Sequence, residues 1–440
     1  MPDVRPFRAW RYDTAVAGPL DALICPPYDV ITPAAAERLG EGQPHNAIHL
    51  EAGPGPADPT VRDNRYARAA ATLDRWIATG IVRRDAESCF YVYEQTFLHG
   101  GRTRRRLAFF AAVHLSPWDE RAVLPHEVTL SQPKADRTAL LEATRANSSP
   151  IYALCDGGLP GVTALLGVAS DRPPDATATD PAGECHRLWA VPDSGLLAAV
   201  TRDLAARPLY IADGHHRYET ALAYAQKHGH DRDPDGAGYV LMAVTPVDDP
   251  GLVVLPTHRL LRDLESSRLE HALAHLDDLF AVRVVDDVPP AEPLLMALAE
   301  AAQDRPLGLY TPGLARLLRA RPSSDTRMQS VEPALRTLDV ALLQQLFFEE
   351  LLGLTPDDLC RQRFVDYTRD ADEALRLVDD GSHQAAVLLN GTPPTAVLEI
   401  ARAGAQLPQK STYFYPKLAT GLVLRRLTGA GTRGGTARCR

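Results

Sequence analysis

The amino-acid sequence predicts a mixed α/β (α+β) protein, on three observations. Apolar runs of strand length alternate with amphipathic runs of helix length through most of the 440 residues. His99-Gly100-Gly101-Arg102 is a hairpin-turn signal between strand-like stretches at 89–98 and 105–115. Pro208-Leu209-Tyr210-Ile211, then Asp213-Gly214, then a helix-like run from Tyr218 to Lys227, has the layout strand, glycine turn, helix.

The elements can be justified in chain order. Pro6, Pro19, Pro26, Pro27, Pro33 and Pro44 impose an extended, turn-rich start. The Gly/Pro-rich stretch 53–59 reads as a surface loop. Ala69, Leu73, Trp76 and Ile77 share one face of a helix predicted over 66–79, which Gly80 can stop. Residues 156–184, rich in Gly, Pro and Asp, read as loop around a short helix. Buried strands are expected at 239–244 and 252–255. Beyond them, helices are expected at 269–279, 293–302, 338–352, 371–378 and 395–403, with strands at 280–285, 307–310 and 385–389. Residues 1–428 are expected to form one globular unit with lobes 1–120, 121–265 and 266–428, and the Gly/Arg-rich 429–440 a flexible tail.

Composition narrows the class. An apolar share of 45% with 23% charged residues is ordinary for a globular protein. A formal net charge of -9 argues against a broad nucleic-acid surface, and the arginines at 102, 104, 105 and 106 read better as a solvated turn. The six cysteines are scattered with no Cys-x-x-Cys pair, so neither a zinc ribbon nor a disulfide framework is expected. A reduced, cytoplasmic chain is the expectation. The first ten residues do not read as a secretory leader, and no apolar run approaches the ~20 residues of a membrane helix.

Four polar clusters carry candidate chemistry. At Asp213-Gly214-His215-His216-Arg217, Gly214 lets a ligand approach the main chain and the helix start offers free N–H groups to an anion. Arg217 supplies a phosphate-matching fork, and His215 or His216 a proton donor. Asp213 can reach a divalent metal or orient a histidine. The plain alternative is that Asp213 caps the helix and the histidines are packed or exposed. The second cluster joins His126 and Glu127 to Lys134, Asp136 and Arg137, with Glu127 as a general base on a hydroxyl; a solvated loop is the alternative. The third, 409–417, holds Lys410 and Lys417 among three aromatics and reads either as an anion grip or as a strand with alternating rings. The fourth, Cys25-Pro26-Pro27-Tyr28-Asp29-Val30, either presents Tyr28 and Asp29 to a pocket or is a rigid turn. Cys25 has no local support as a nucleophile. Neither a P-loop nor a Rossmann fingerprint occurs in a convincing setting.

Taken together, Pro6-Phe7-Arg8-Ala9, Pro26-Pro27-Tyr28-Asp29-Val30-Ile31, His126-Glu127, Asp136-Arg137, the 212–220 string, Leu255-Pro256-Thr257-His258-Arg259 and the 408–417 string resemble the bacterial and archaeal family called domain of unknown function 1015. The resemblance spans roughly 4–428. Asp213-Gly214-His215-His216-Arg217 is also similar to the phosphate-binding segment of the ParB/sulfiredoxin superfamily, whose free serine kinases carry such a string. This second resemblance implies a ParB/sulfiredoxin-like core and a nucleotide-dependent phosphotransferase acting on a small hydroxyl compound, with free serine as the example. Asp213, Gly214, His215, His216, Arg217 and Lys410 would hold the nucleotide phosphates of ATP or ADP. Glu127, His215 and His216 would be catalytic, and Asp213 would meet Mg²⁺. A nucleotide-binding switch with little turnover and a phosphatase using the same site are the alternatives. The partner expected is a small-molecule substrate, with no membrane.

Overall fold

The computed structural model describes residues 1–127, 131–229, 232–408 and 410–428. Val128, Thr129, Gln409 and the expected tail 429–440 lie outside the described residues. The chain forms two compact units. One comprises Met1–Pro125, Thr129–Leu252 and the stretch from Pro416 on; the other comprises His126–Val128 and Val253–Tyr415. The expected lobes 1–120 and 121–265 share a single sheet, because strands from both are joined in one hydrogen-bonded ladder.

The first unit is built on a nine-stranded mixed sheet. Its strands are β1 Val4–Arg5, β2 Phe90–His99, β3 Arg102–His114, β4 Val123–Leu124, β5 Ile151–Cys155, β6 Ala176–Thr179, β7 Cys185–Val191, β8 Leu209–Asp213 and β9 Tyr239–Pro246. Their order is β4-β8-β5-β9-β3-β2-β7-β6, with β1 on β3. β8 runs parallel to β4 and β9 parallel to β5; the other pairs are antiparallel. Gly100 and Gly101 turn β2 into β3 with φ of 58° and 68°, the left-handed pair a two-residue hairpin needs. Val92, Phe109, Ala153, Ile211 and Val244 of the sheet share one buried cluster with residues of the helices α1 Pro160–Asp171, α2 Ser194–Leu204 and α3 His215–His228. Each large apolar side chain buried there contributes about 1.5–3 kcal/mol.

The second unit has a six-stranded antiparallel sheet. It contains His258–Leu261, Phe280–Val285, Leu307–Thr311, Leu314–Ala320, Val365–Thr368 and Ala385–Leu388. Leu309, Leu318 and Val387 face a cluster holding Leu346 and Phe347. Their neighbours Tyr310, Leu317 and Ala386 face another holding Leu294 and Leu375. The inner strands Leu307–Thr311 and Ala385–Leu388 are covered on both faces, which is why they read as short unbroken apolar runs. Val253–Leu255 pairs separately with Tyr413–Tyr415, so the 409–417 stretch contains the aromatic strand.

Several expectations are corrected. The stretch 156–184 contains a twelve-residue helix and the strand Ala176–Thr179, whose small polar residues give no apolar signal yet pair with β7. The helix expected at 338–352 is an α-turn, Asp339–Leu342, running into a π-helical stretch, Leu343–Leu351. That expected at 269–279 breaks at His275. Residues 253–255 are half-buried rather than buried. Arg106 is not part of a solvated turn: it is 1% exposed, donates to Gln95 and to the Pro416 carbonyl, and lies over the Tyr152 ring. No helix among the described residues is long and apolar enough to cross a membrane.

Candidate functional site

The strand–glycine turn–helix layout at 209–228 is present, and three local devices shape it. Register slips between Ile211 and Asp213 on β8, so the strand bulges just before the turn and re-aims Asp213. Gly214 is the N-cap of α3 with φ of 96°, left-handed backbone that a side chain resists. A Cβ there would also lie 2.9 Å from the Arg217 guanidinium, so glycine lets that side chain fold back over the turn. The N-cap residue, Gly214, has no side chain with which to cap the helix. Asp213 is therefore not the helix cap, and the anion-favouring end of the helix dipole begins at Gly214.

Asp213 is instead the hub of a charge cluster. Arg217 Nη2 donates to its Oδ2 at 2.6 Å, and the Lys417 ammonium donates to its Oδ1. Burial alone would raise the Asp213 carboxyl; Lys417, Arg217 and then His215 hold it well below the usual carboxylate range. Asp29 is carried in by the 3₁₀ turn Tyr28–Val30 behind two prolines. Its side chain keeps solvent contact, yet the surrounding protein, and next the charge of Asp213, push its pKa up. Two carboxylates thus share two cations and are driven apart in acidity. Arg217 also donates to the Pro150 carbonyl, while its buried Nε has no hydrogen-bond partner among the described residues. A cavity of about 50 Å³ lies beside it, lined by Glu51, Arg137, Asn147, Ser148, Ser149 and Thr220 among others.

The other expected residues have these positions. His215 is buried and His216 half-buried at the start of α3. Arg137 is buried between Glu51, to which Nη1 donates at 3.1 Å, and Asp136, with its guanidinium 3.9 Å from the Tyr28 ring centre. The Asp136-Arg137 pair is thus tied into an ion-pair network that also includes Arg65. Lys134 pairs with Glu219 of α3. His126, Glu127 and Lys410 belong to the second unit. There His126 Nε2 lies 2.9 Å from Thr412 Oγ1, and Glu127 Oε1 accepts from the Lys410 backbone N–H at 3.0 Å. Cys25 is buried and its thiol pushed well up by that burial, in keeping with its rejection as a nucleophile. The lysine that meets Asp213 is Lys417, and the second acid is Asp29; both stood in motifs singled out from the sequence, without a role at this turn.

This arrangement can receive an anion at the helix start and hold an acid of raised pKa close by. A divalent ion on Asp213 would have to compete with both Lys417 and Arg217 for its oxygens.

The chain belongs to the family described as "Protein of unknown function (DUF1015)", whose model matches residues 4–341. No curated protein matches it. Among solved structures it is similar to a conserved hypothetical protein from Pyrococcus furiosus, with 13% identity over 71% of this chain and 92% of that one, at a TM-score of 0.35. A free serine kinase in complex with AMP shares 12% identity over 70% of this chain and 86% of its own, at 0.35. SbnI from Staphylococcus aureus shares 10% over 70% and 85%, at 0.36.

Proposed function

We propose that this member of the DUF1015 family is a nucleotide-dependent phosphotransferase acting on a small hydroxyl compound. The observation that carries the reading is the start of α3: left-handed Gly214 opens it, and Asp213 holds Arg217 and Lys417 beside it. Phosphate oxygens would bind the N–H groups after Gly214, with Arg217 offering its unpartnered Nε. His215 and His216 would supply donors. Asp29, with its raised pKa, would take the proton of the acceptor hydroxyl. The acceptor class, with free serine as its example, rests on the likeness of the Asp213–Arg217 string to that of the free serine kinases. Any Mg²⁺ would enter with the nucleotide phosphates.

Thermal-shift titration of the full chain with ATP, ADP and AMP, with and without Mg²⁺, tests binding; phosphoryl transfer to L-serine then tests turnover. Stabilisation by a nucleotide that is lost in Asp213→Asn and in Arg217→Ala is the expected result. No shift with any nucleotide, or unchanged shifts in both variants, overturns the reading. Comparing Asp29→Asn, Glu127→Gln and Lys410→Ala under turnover shows which side chain matters to transfer. Phosphate release without an acceptor would identify a hydrolase, and tight binding without turnover a switch.

A further inference from the structure

A second cluster in the first unit, unrelated to the proposed phosphate site in its residues, surrounds the turn between β6 and β7. Asp180, Glu184 and His186 each bring one donor atom within 4.8 Å of the others. Asp180 spends Oδ1 on the turn itself, accepting from the backbone N–H groups of Ala182 and Glu184, both at 2.9 Å. Its Oδ2 faces His186 Nε2 at 3.6 Å.

The imidazole is what points to a ligand. His186 is 1% exposed, and its Nε2 has no hydrogen-bond partner among the described residues. A buried ring nitrogen without a partner is costly. The 3.6 Å gap to Asp180 is long for a hydrogen bond. It is close to the roughly 3.4 Å expected between nitrogen and oxygen ligands of one tetrahedral ion at ~2.1 Å from each. The other ring nitrogen, Nδ1, lies 2.8 Å from Tyr93 Oη, and the two rings are stacked. With Nδ1–H donating to the phenol oxygen, Nε2 presents its lone pair to the cluster, the outer-shell arrangement metal-bound histidines use. Glu184 is oriented too: its Oε2 accepts from Gln95 Nε2 at 2.7 Å.

We propose that Asp180, Glu184 and His186 form a binding site for a divalent transition cation of the Zn²⁺ type, with water completing the shell. One nitrogen and two carboxylates suit Zn²⁺ or Co²⁺, whereas Mg²⁺ and Ca²⁺ prefer oxygen alone. The two negative charges would be balanced by the ion. Gln95 Nε2 also donates to the Lys417 carbonyl at 3.1 Å, so the ion would brace the backbone of that lysine through Glu184 and Gln95.

The test is calorimetric titration of the chelator-treated full chain with ZnCl₂, with Co²⁺ absorption as a second readout. One Zn²⁺ per chain is expected, with Mg²⁺ and Ca²⁺ far weaker. His186→Gln, Asp180→Asn and Glu184→Gln should each weaken binding by at least about tenfold and abolish the Co²⁺ ligand-field bands. Because His186 is buried, Glu184→Gln, at a half-exposed turn position, keeps the test valid if His186→Gln folds poorly. Absence of stoichiometric Zn²⁺ uptake by the native chain, or equal affinity in all the variants that fold, overturns the proposal.

Discussion

The Lys417 ammonium donates to the Asp213 carboxylate although 204 positions separate the two residues. Their side chains are 11% and 17% exposed, so the pair is largely shielded from water. Removing one partner of such a pair leaves a charge uncompensated. Lys417→Met should therefore lower unfolding free energy by about 3 kcal/mol, the lower end for buried pairs because Arg217 stays on Asp213. Urea denaturation of Lys417→Met, Asp213→Asn and the double variant should give a coupling of roughly 1–3 kcal/mol. Additive losses would show that the contact is energetically idle.

Gly214→Ala meets two obstacles, a φ of 96° and a guanidinium 2.9 Å from the new carbon. The left-handed backbone alone costs about 1–2 kcal/mol. Displacing Arg217 should additionally weaken nucleotide-induced stabilisation, whereas Gly229→Ala at the other end of the helix should leave that stabilisation unchanged. Equal ligand responses would separate Gly214 from the anion site.

Asp29 is raised by its surroundings and by Asp213, so ionising it opposes folding. Its contribution is fully present below its unfolded pKa near 3.8 and is lost as pH rises through the higher folded value. Asp29→Asn is accordingly expected to be more stable than the native chain at pH 7, by up to ~1 kcal/mol given its exposure. The advantage should vanish below pH 3.8. Melting temperatures across pH check this; a variant less stable at pH 7 contradicts it.

In the second unit, burial, then Arg259, lowers the His258 pKa from 6.5 to about 4. The neutral ring accepts the Leu389 N–H at Nδ1. Stability from this group is full above pH 6.5 and drains away as pH falls to about 4, amounting to about 3 kcal/mol. His258→Asn keeps an acceptor but does not titrate, so its stability profile should be flatter over that window. A parallel profile would show that His258 does not govern acid sensitivity.

What could be read from the sequence depended on range. The β2–β3 hairpin was legible because Gly100-Gly101 is a local signal, and so was the strand–turn–helix around Asp213. The bulge at Ala212 was not, since it exists only against the neighbouring strand. Asp213, Gly214 and Arg217, the residues of the proposed anion site, share one turn and could be found together. Their companions could not: Lys410 and Lys417 stand in one motif, and only the return of the chain to the first unit at Pro416 distinguishes them. For the same reason Glu127 was the expected carboxylate, while Asp29 read only as presented to a pocket or held in a rigid turn. The cluster at Asp180, Glu184 and His186 has no recognised spacing motif, and its geometry comes from a hairpin whose first strand, Ala-Thr-Ala-Thr, lacks an apolar signature.

The first unit takes its closing segment from beyond the second in sequence: Lys417 reaches Asp213, Leu424 bridges to Trp10, and Arg425 donates to the carbonyls of Pro234, Gly236 and Tyr239. During synthesis, the ribosome must therefore deliver the whole of the second unit before the first can acquire its lysine. A nascent chain cut short between Arg217 and Lys417 carries the glycine turn and Arg217 but not the ammonium beside them. The Asp213–Lys417 pair can therefore form only after the second unit has been synthesised.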